Sequence, residues 1–299
     1  MIKSVGIFLL LIICGTINAQ IIDNRGCKAF TDDPFFDVKF IKKNKVKSIT
    51  GSISTKTKYG IITPNGLSTY FDFDKEGKQV TYYNTFHKGN SFDTTVVKFT
   101  YNDSNKVIVK RRNDNYGFYS YTNTYDSLGN KTGEKYCRDE NLGASKHEFK
   151  LGKQYIIIDE RYKVEQMSAT QKKVVYFNNY GKSYQEKLMT YDKKGYLISE
   201  EKTLLRSKKK NKTAYEYDYK GYVIKKTESS SVAGNFEEIH EYEYDKVGNL
   251  TSEKIYRNGK HKTTKTFLYY DTMLLKAIIL KDISSENLTI TKYKYQHYE

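Results

Sequence analysis

A short motif recurs along this chain: an aromatic residue, Asp, two variable residues and then Gly. Clear copies begin at Asp74, Asp126, Asp192, Asp218 and Asp245, and they end three residues later at Gly77, Gly129, Gly195, Gly221 and Gly248. From Asp192 to Asp245 the copies are 26 or 27 residues apart. A fixed period of this length is the signature of a repeat architecture, and it constrains the fold more than composition does.

The residues of the motif are those of a tight turn. An Asp side chain accepts hydrogen bonds from backbone N–H groups a few residues on, and Gly takes a positive φ without a Cβ clash. A type I turn followed by a left-handed residue joins antiparallel strands. Before the turn, Tyr242 and Tyr244 alternate with glutamates, which indicates a strand with one buried face and one solvent-exposed face. Each motif is therefore predicted to be the tip of a β-hairpin.

The number of repeats sets the expected architecture. About ten units predict about twenty strands, too many for a flat sheet because twist accumulates from strand to strand. We expect an all-β fold, a long antiparallel meander of repeated β-hairpins forming a curled single sheet. Tyrosines should cover one face, with Lys, Glu and Thr on the other. The pattern does not decide whether the sheet closes.

The stretch YEYDKVGNLTSEKIY closely resembles the YD repeat of Rhs-type proteins, with Asp245, Gly248, Asn249 and Leu250 matching directly. The resemblance extends from Phe73 to the end of the chain. In that family the repeats form hairpins that wind into a large sheet, in the biggest members a hollow shell around a toxic cargo. Several members bind carbohydrate or act in cell-surface adhesion. About ten units are too few to enclose a protein cargo, so delivery is not expected here.

Residues 1–19 are predicted to be a signal peptide. Val5 to Cys14 form an apolar run too short to span a bilayer, and cleavage is expected after Ala19, leaving Gln20 first. A lipoprotein anchored at Cys14 is the alternative, although Ile13 stands where a small residue is required. The leader and the residue usage are similar to exported proteins of Bacteroidota. We expect a secreted or periplasmic/outer-surface protein, without a transmembrane span.

The rest of the chain divides into an N-terminal segment with the first strands, 20–66, and the hairpin repeats, 67–299. Cys27 and Cys137 are the cysteines left after the leader. An oxidising compartment permits a disulfide between them, and two free thiols are the alternative. There is no C-x-x-C, the histidines are scattered, and no cofactor is expected.

The chain carries 51 Lys and Arg against 35 Asp and Glu, a formal net charge of +16. The electrostatic field of such a net positive charge attracts anions such as acidic polysaccharide. Nucleic acid is a poor partner for an exported protein. Lys208, Lys209 and Lys210, within RSKKKNK, are candidate ligand contacts, or a solvated loop. Asp32, Asp33 and Asp37 offer a calcium loop or, as we expect, a turn before a strand.

Tyrosine rings stack on sugar faces, which makes the paired tyrosines before two of the turns candidate ligand contacts: Tyr215, Tyr217, Tyr242 and Tyr244. Their alternative role is the packed face of the sheet. The chain shows no nucleophile elbow, phosphate-cradling loop or catalytic triad pattern. The sequence therefore predicts a non-enzymatic repeat protein that binds glycan or an envelope protein at the cell envelope or surface. The alternative is a structural or assembly component related to toxin-shell proteins.

Overall fold

The computed structural model describes residues 20–114, 117–232, 234 and 236–299, so the predicted leader through Ala19 lies outside the described residues. The described chain forms one short helix and eighteen strands. In chain order they are α1 (Val38–Lys43), β1 (Val46–Lys56), β2 (Thr63–Phe73), β3 (Gln79–Lys88), β4 (Ser91–Tyr101), β5 (Val107–Asp114), β6 (Gly117–Tyr125), β7 (Lys131–Asn141), β8 (Leu151–Ser168), β9 (Gln171–Phe177), β10 (Ser183–Tyr191), β11 (Leu197–Leu204), β12 (Lys210–Tyr217), β13 (Val223–Ser230), β14 (Phe236–Tyr244), β15 (Leu250–Arg257), β16 (Lys260–Tyr269), β17 (Leu275–Asp282) and β18 (Leu288–His297).

The sheet closes on itself. Each strand pairs antiparallel with its neighbours in the chain, and β1 pairs with both β2 and β18. In the closing ladder Ile49 lies opposite Tyr295 and Thr55 opposite Thr289. The predicted curled single sheet is therefore wrong, and the fold is an 18-stranded antiparallel barrel. Closure pairs the backbone groups that two free edge strands would leave open.

The barrel has two unlike ends, because successive connections alternate between them. The end that carries the five Asp-to-Gly motifs is called the turn end, and the opposite end is called the loop end. The β9–β10 turn at 178–181 has motif-like residues but belongs to the loop end. The reason is β8, which is eighteen residues long and has no turn within it, so that three strands rather than an even number separate this turn from the one at Asp126.

Residues 20–44 form a plug inside the barrel. Phe36 packs edge-on against Phe71 and Phe73 of β2, with ring centroids 4.9 and 5.2 Å apart. Asn24 Nδ2 donates to Tyr244 Oη of β14 at 3.1 Å, and Asp33 pairs with Lys110 of β5, on the opposite side of the ring, at 2.9 Å. A segment that touches both sides of the ring lies in its lumen. The plug and the inward side chains of its neighbours form the main hydrophobic core.

Side chains alternate between the lumen and the outer face along each strand. On β14, Tyr242 is 7% exposed and faces the plug, whereas Glu241 and Glu243 face outward. The closing strands follow the same rule, with Tyr293 buried inside and Lys292 and Lys294 outside. The predicted division into a tyrosine face and a charged face holds along these two strands, whereas the lumen beside β7–β11 also carries Lys and Glu.

The two cysteines lie on opposite sides of the wall. Cys27 belongs to the plug and packs against the core, where it contacts Tyr242. Cys137 is on β7, opposite Ser120, and faces the outer side. Both are free thiols in the structure, so the predicted bridge is not formed. The wall between them explains why, since a disulfide requires Cα atoms within about 7 Å.

The β7–β8 loop, 142–150, covers part of the outer face. Its Phe149 ring lies 4.6 Å from the Arg111 guanidinium carbon, and Lys98 Nζ donates a hydrogen bond to the His147 carbonyl at 3.0 Å. Beneath it, Arg111 Nε donates to Asp139 Oδ2 at 2.6 Å, and the Asp139 side chain is fully buried. Within the described ranges, no helix has the length and hydropathy to cross a membrane.

Candidate ligand-binding cavity

The repeated Asp and Gly form turns of one design. At the best copy, Gly248 has a φ of +94° and its N–H donates to the Asp245 carbonyl at 3.1 Å. Asp245 Oδ1 accepts from the N–H groups of Val247 and Asn249, at 3.0 and 2.8 Å. The other four glycines also have positive φ, and their aspartates accept a backbone N–H from the residue after the glycine. The motif aspartates are therefore occupied in holding the turns.

At five turns of the turn end, the tyrosine before the turn ties its hairpin to the preceding one. Tyr269 Oη donates to the Leu250 carbonyl at 2.7 Å, and Leu250 is the first strand residue after the previous turn of this end. Four further tyrosines before turns donate in the same way, as does Tyr295 near the end of β18. The donors and acceptors are Tyr101 to Gln79, Tyr125 to Val107, Tyr217 to Leu197, Tyr244 to Val223 and Tyr295 to Leu275. Tyr298, after β18, donates instead to Phe73, the residue before the Asp74 turn. Sequence reasoning missed this ladder, although the recurrence of tyrosine beside the motif was its signal.

The four tyrosines predicted as ligand contacts lie against the plug. Tyr242 contacts Cys27, and burial raises the pKa of its hydroxyl well above the usual range. Tyr244 uses its hydroxyl as donor to Val223 and as acceptor from Asn24 Nδ2 at 3.1 Å. Tyr215 and Tyr217 are partly buried against the same core. The structure gives all four a role in packing the plug.

The three lysines predicted as ligand contacts lie away from the plug. Lys208, Lys209 and Lys210 lie at the loop end, where Lys209 Nζ donates to the Val232 carbonyl at 3.3 Å and Lys210 Nζ to Glu201 at 2.6 Å. They are exposed and border no part of the larger lumen cavities described below.

The aspartates considered for calcium hold the plug in place. Asp32 pairs with Arg112 at 2.5 Å and Asp33 with Lys110 at 2.9 Å, both on β5. Asp37 caps α1, accepting from the Phe40 N–H at 2.8 Å. Each carboxylate is used in a protein contact, and the element that follows the three aspartates is the helix α1 rather than the predicted strand.

Beside the plug, the lumen is open between β5 and β13. Two adjoining cavities of about 520 and 460 Å³ share Lys131 and Glu134 as lining residues. A third, of about 360 Å³, adjoins the larger one through Lys202. Cavities of this size are typical of sites for small ligands. Tyrosines line the two larger cavities: Tyr121, Tyr125, Tyr162, Tyr176, Tyr184 and Tyr191.

Glu160 organises the tyrosines of the larger cavity. Tyr184 Oη donates to Glu160 Oε1 at 2.5 Å, and Tyr162 Oη donates to Glu160 Oε2 at 3.2 Å. Burial raises the pKa of both hydroxyls, and the Glu160 carboxylate raises it further. Both tyrosines therefore remain neutral at physiological pH, with their rings fixed at the cavity wall.

The same cavity has an excess of lysines. Lys187 on β10 lies directly opposite Lys202 on β11, and such like-charged cross-strand pairs are destabilising. Lys187 pairs with Glu200 at 2.9 Å, whereas Lys172 donates to the Asn130 amide oxygen at 3.1 Å. Among the described residues, neither Lys172 nor Lys202 forms a salt bridge. The cavity is therefore suited to an anionic group.

A histidine network occupies the lumen next to this region. His240 lies between Glu253 and Glu238, at 2.8 and 3.2 Å, and Glu228 is close enough for a shared metal ion. The glutamates already have basic partners in Lys226, Arg257 and Lys265. The charges are balanced within the network, which favours ion pairing over metal binding. Sequence spacing gave no sign of it, because its members meet across strands.

No protein-family profile matches this sequence, and no curated protein matches it. Among solved structures, a porin-like protein from Bacteroides uniformis is 10% identical with a TM-score of 0.33, covering 85% of this chain and 97% of that one. A porin-like protein from Bacteroides vulgatus is 10% identical with a TM-score of 0.31, covering 71% and 96%. TcdB2-TccC3 without its hypervariable C-terminal region is 13% identical with a TM-score of 0.30, covering 79% of this chain and 15% of that one. At these scores the similarities assign no family and no activity.

Proposed function

We propose that this protein is an exported, non-enzymatic binding protein whose open lumen holds a segment of an acidic glycan. The proposal is supported above all by the composition of the larger cavity. Fixed tyrosine rings stand there beside Lys172 and Lys202, the two lysines without a carboxylate partner among the described residues. Rings stack on sugar faces, and ammonium groups pair with sugar carboxylates or sulfates.

The shape of the open lumen suits a chain better than a single sugar. The cavities adjoin in series through shared lining residues, Lys131 and Glu134 on one side and Lys202 on the other. A ligand that follows this path meets tyrosines and basic side chains in the two larger cavities, and then lysines and hydroxyl groups in the third. An oligosaccharide with regularly spaced acidic groups has these requirements.

The rigid wall reduces the cost of binding. Lining residues of the larger cavity lie on β9 and β10, which are paired on both sides, and on β8, which pairs with β9 beside Tyr162 and Val164. Glu160 fixes two of the rings by hydrogen bonds. A preformed site loses little side-chain entropy when the ligand enters.

The test is calorimetric titration of the mature protein with oligogalacturonate and with its methyl ester, which has the same sugar backbone without the charges. We expect oligogalacturonate to bind. Its affinity should fall as salt is added, because salt screens the contacts with the lysines. The ester should bind more weakly and without salt dependence. No heat with either ligand would contradict binding of this glycan, and equal affinity for both would contradict the lysine contribution.

Variants locate the site. Lys202→Met should lower the affinity for the acid about tenfold and leave that for the ester unchanged, since loss of a charge-assisted hydrogen bond costs about 1.5 kcal/mol. Tyr176→Leu should lower the affinity for both ligands. Lys182→Met and Tyr219→Leu, at exposed turn positions, are the matched controls. If the controls weaken binding as much as the cavity variants, the site is not in the lumen.

A further inference from the structure

The plug places two carboxylates in the lumen beside the proposed binding cavity. Asp32 pairs with Arg112 of β5 at 2.5 Å. Asp33 pairs with Lys110 of the same strand at 2.9 Å, and the Lys28 ammonium of the plug lies 3.4 Å away from it. All three cations line the cavity of about 460 Å³. The cations of this cavity therefore have the chain's own carboxylates as partners.

The corner of the plug that carries these carboxylates is attached to the wall through side chains. Its backbone hydrogen bonds stay within the plug, and among the described residues none joins 28–34 to a strand. The side chains of Asp32, Asp33 and Arg112 are each 40% exposed. Ion pairs with this exposure contribute little to stability, so an external anion can replace the two carboxylates at a small cost.

The plug also has attachments that do not involve these carboxylates. Phe30 stacks on Phe267 of β16, with ring centroids 5.5 Å apart. Phe35 meets Phe71 of β2 edge-on at 5.6 Å. These apolar contacts lie on either side of residues 31–34 in the chain. The acidic corner can therefore leave β5 while the rest of the plug stays in the lumen.

We propose that Lys110 and Arg112 form a second anion subsite of the lumen, occupied by the two plug carboxylates and opened when an acidic ligand displaces them. This inference rests on the proposed function, because it extends the same binding path. The cavity of the subsite adjoins the larger cavity through shared lining residues, so one acidic oligosaccharide reaches both. The subsite takes sugar carboxylates, the same chemical group that the plug supplies in their place.

The test compares calorimetric titrations of oligogalacturonate into the mature wild type and into Asp32→Asn/Asp33→Asn. The amides keep the size of the two side chains and remove the charges that compete with the ligand. We expect the double variant to bind about tenfold more tightly, because the ligand no longer has to break two ion pairs. Asp23→Asn is the matched control, since Asp23 is a plug carboxylate whose partner, Arg25, also belongs to the plug. It should leave the affinity unchanged.

Salt dependence and a further change locate the gain in affinity. In the double variant, Lys110 and Arg112 are open to the anions of the salt, which the ligand must then displace. The affinity of the double variant should therefore fall more steeply with added salt than that of the wild type. Adding Lys110→Met/Arg112→Met to the double variant should cancel the tenfold gain.

Two further measurements report on the plug itself. Alkylation of Cys27 should be as slow in the double variant as in the wild type, because the apolar contacts keep the plug in the lumen. In the wild type, saturating oligogalacturonate should speed hydrogen exchange in residues 28–33. The Asp23 N–H, which donates to the Phe35 carbonyl at 2.7 Å within the plug, should stay protected.

The outcomes separate this inference from the proposed function. Binding by the wild type with no gain in the double variant overturns the subsite and leaves the proposed function standing. An equal gain in Asp23→Asn also overturns the subsite. Rapid alkylation of Cys27 in the double variant does so as well, because the two carboxylates would then anchor the whole plug. No binding by either protein overturns the proposed function, and this inference with it.

Discussion

The hydroxyl of Tyr269 donates a hydrogen bond to the backbone carbonyl of Leu250, 2.7 Å away, and so joins one hairpin of the barrel to the next. Tyr269 is the residue before a turn, and Leu250 is the residue after the previous turn of the same end. Because the same bond recurs around the barrel, the motif encodes both the turn and the contact between successive turns.

Removing this hydroxyl should destabilise the barrel measurably. Tyr269→Phe keeps the ring but leaves the carbonyl of Leu250, itself 2% exposed, without this donor. We expect a loss of about 1–2 kcal/mol in the free energy of unfolding, measured by urea denaturation. Tyr219→Phe, at a position 86% exposed, should change it by less than about 0.5 kcal/mol. Equal effects of the two changes would show that the tyrosine hydrogen bonds do not contribute measurably to the free energy of unfolding.

A pair of glycine variants separates turn strain from plug packing. Gly195→Ala and Gly248→Ala both place a Cβ at positive φ, at +88° and +94°, which should cost about 1 kcal/mol each. A Cβ at Gly195 would meet nothing within 4 Å, whereas one at Gly248 would lie 2.2 Å from Gln20 Nε2 and 2.3 Å from the Tyr222 hydroxyl. Gly248→Ala should therefore also loosen the plug, seen as faster hydrogen exchange in residues 20–30. Identical exchange in the two variants would show that the turn does not support the plug.

The buried Arg111–Asp139 pair should be the most sensitive charge pair on the outer face. Arg111→Met leaves the fully buried Asp139 carboxylate without its cation, although Ser120 and Gln154 still donate to it. We expect a loss of about 3 kcal/mol in the free energy of unfolding. Lys254→Met breaks the exposed pair with Glu243 and should cost less than about 1 kcal/mol. A loss as small as that of the control would show that water or the loop compensates the charge.

The Cys27 thiol should be nearly inert in the folded protein. Burial raises its pKa to about 11, so at pH 8 only about one thiol in a thousand is the reactive thiolate. Its alkylation should be slow at pH 8 and accelerate about tenfold per pH unit up to about pH 10. Mass spectrometry after iodoacetamide treatment, with and without denaturant, measures this. Rapid alkylation of the native protein at pH 8 would show that the plug leaves the lumen.

The local structure was predictable because the motif encodes it locally. Asp245 and Gly248 specify their turn within five residues, and the alternation of Tyr242 and Tyr244 with glutamates specifies which face is covered. The plug was not predictable in the same way. Ile21, Phe35 and Phe36 belong to a segment without periodicity, and their partners are strands more than thirty residues away.

Closure and the cavity depend on contacts that no short pattern records. Whether β1 meets β18 depends on the twist and stagger summed over eighteen strands. Lys187 and Lys202 face each other because of a strand register, and the four candidate tyrosines lie on β12 and β14, which the plug covers. The excess of lysine over acid was visible in the composition, but its concentration beside β9–β11 required the fold.

The pairing of Ile49 with Tyr295 has a consequence for how the chain acquires its structure. The other seventeen ladders join strands that are adjacent in the chain, so they have low contact order and can form as soon as each hairpin is available. The last ladder joins the two ends of the chain and must wait until the final strand has been synthesised. The chain therefore remains an open ribbon until β18 is in place, and the ring is completed as a single late event.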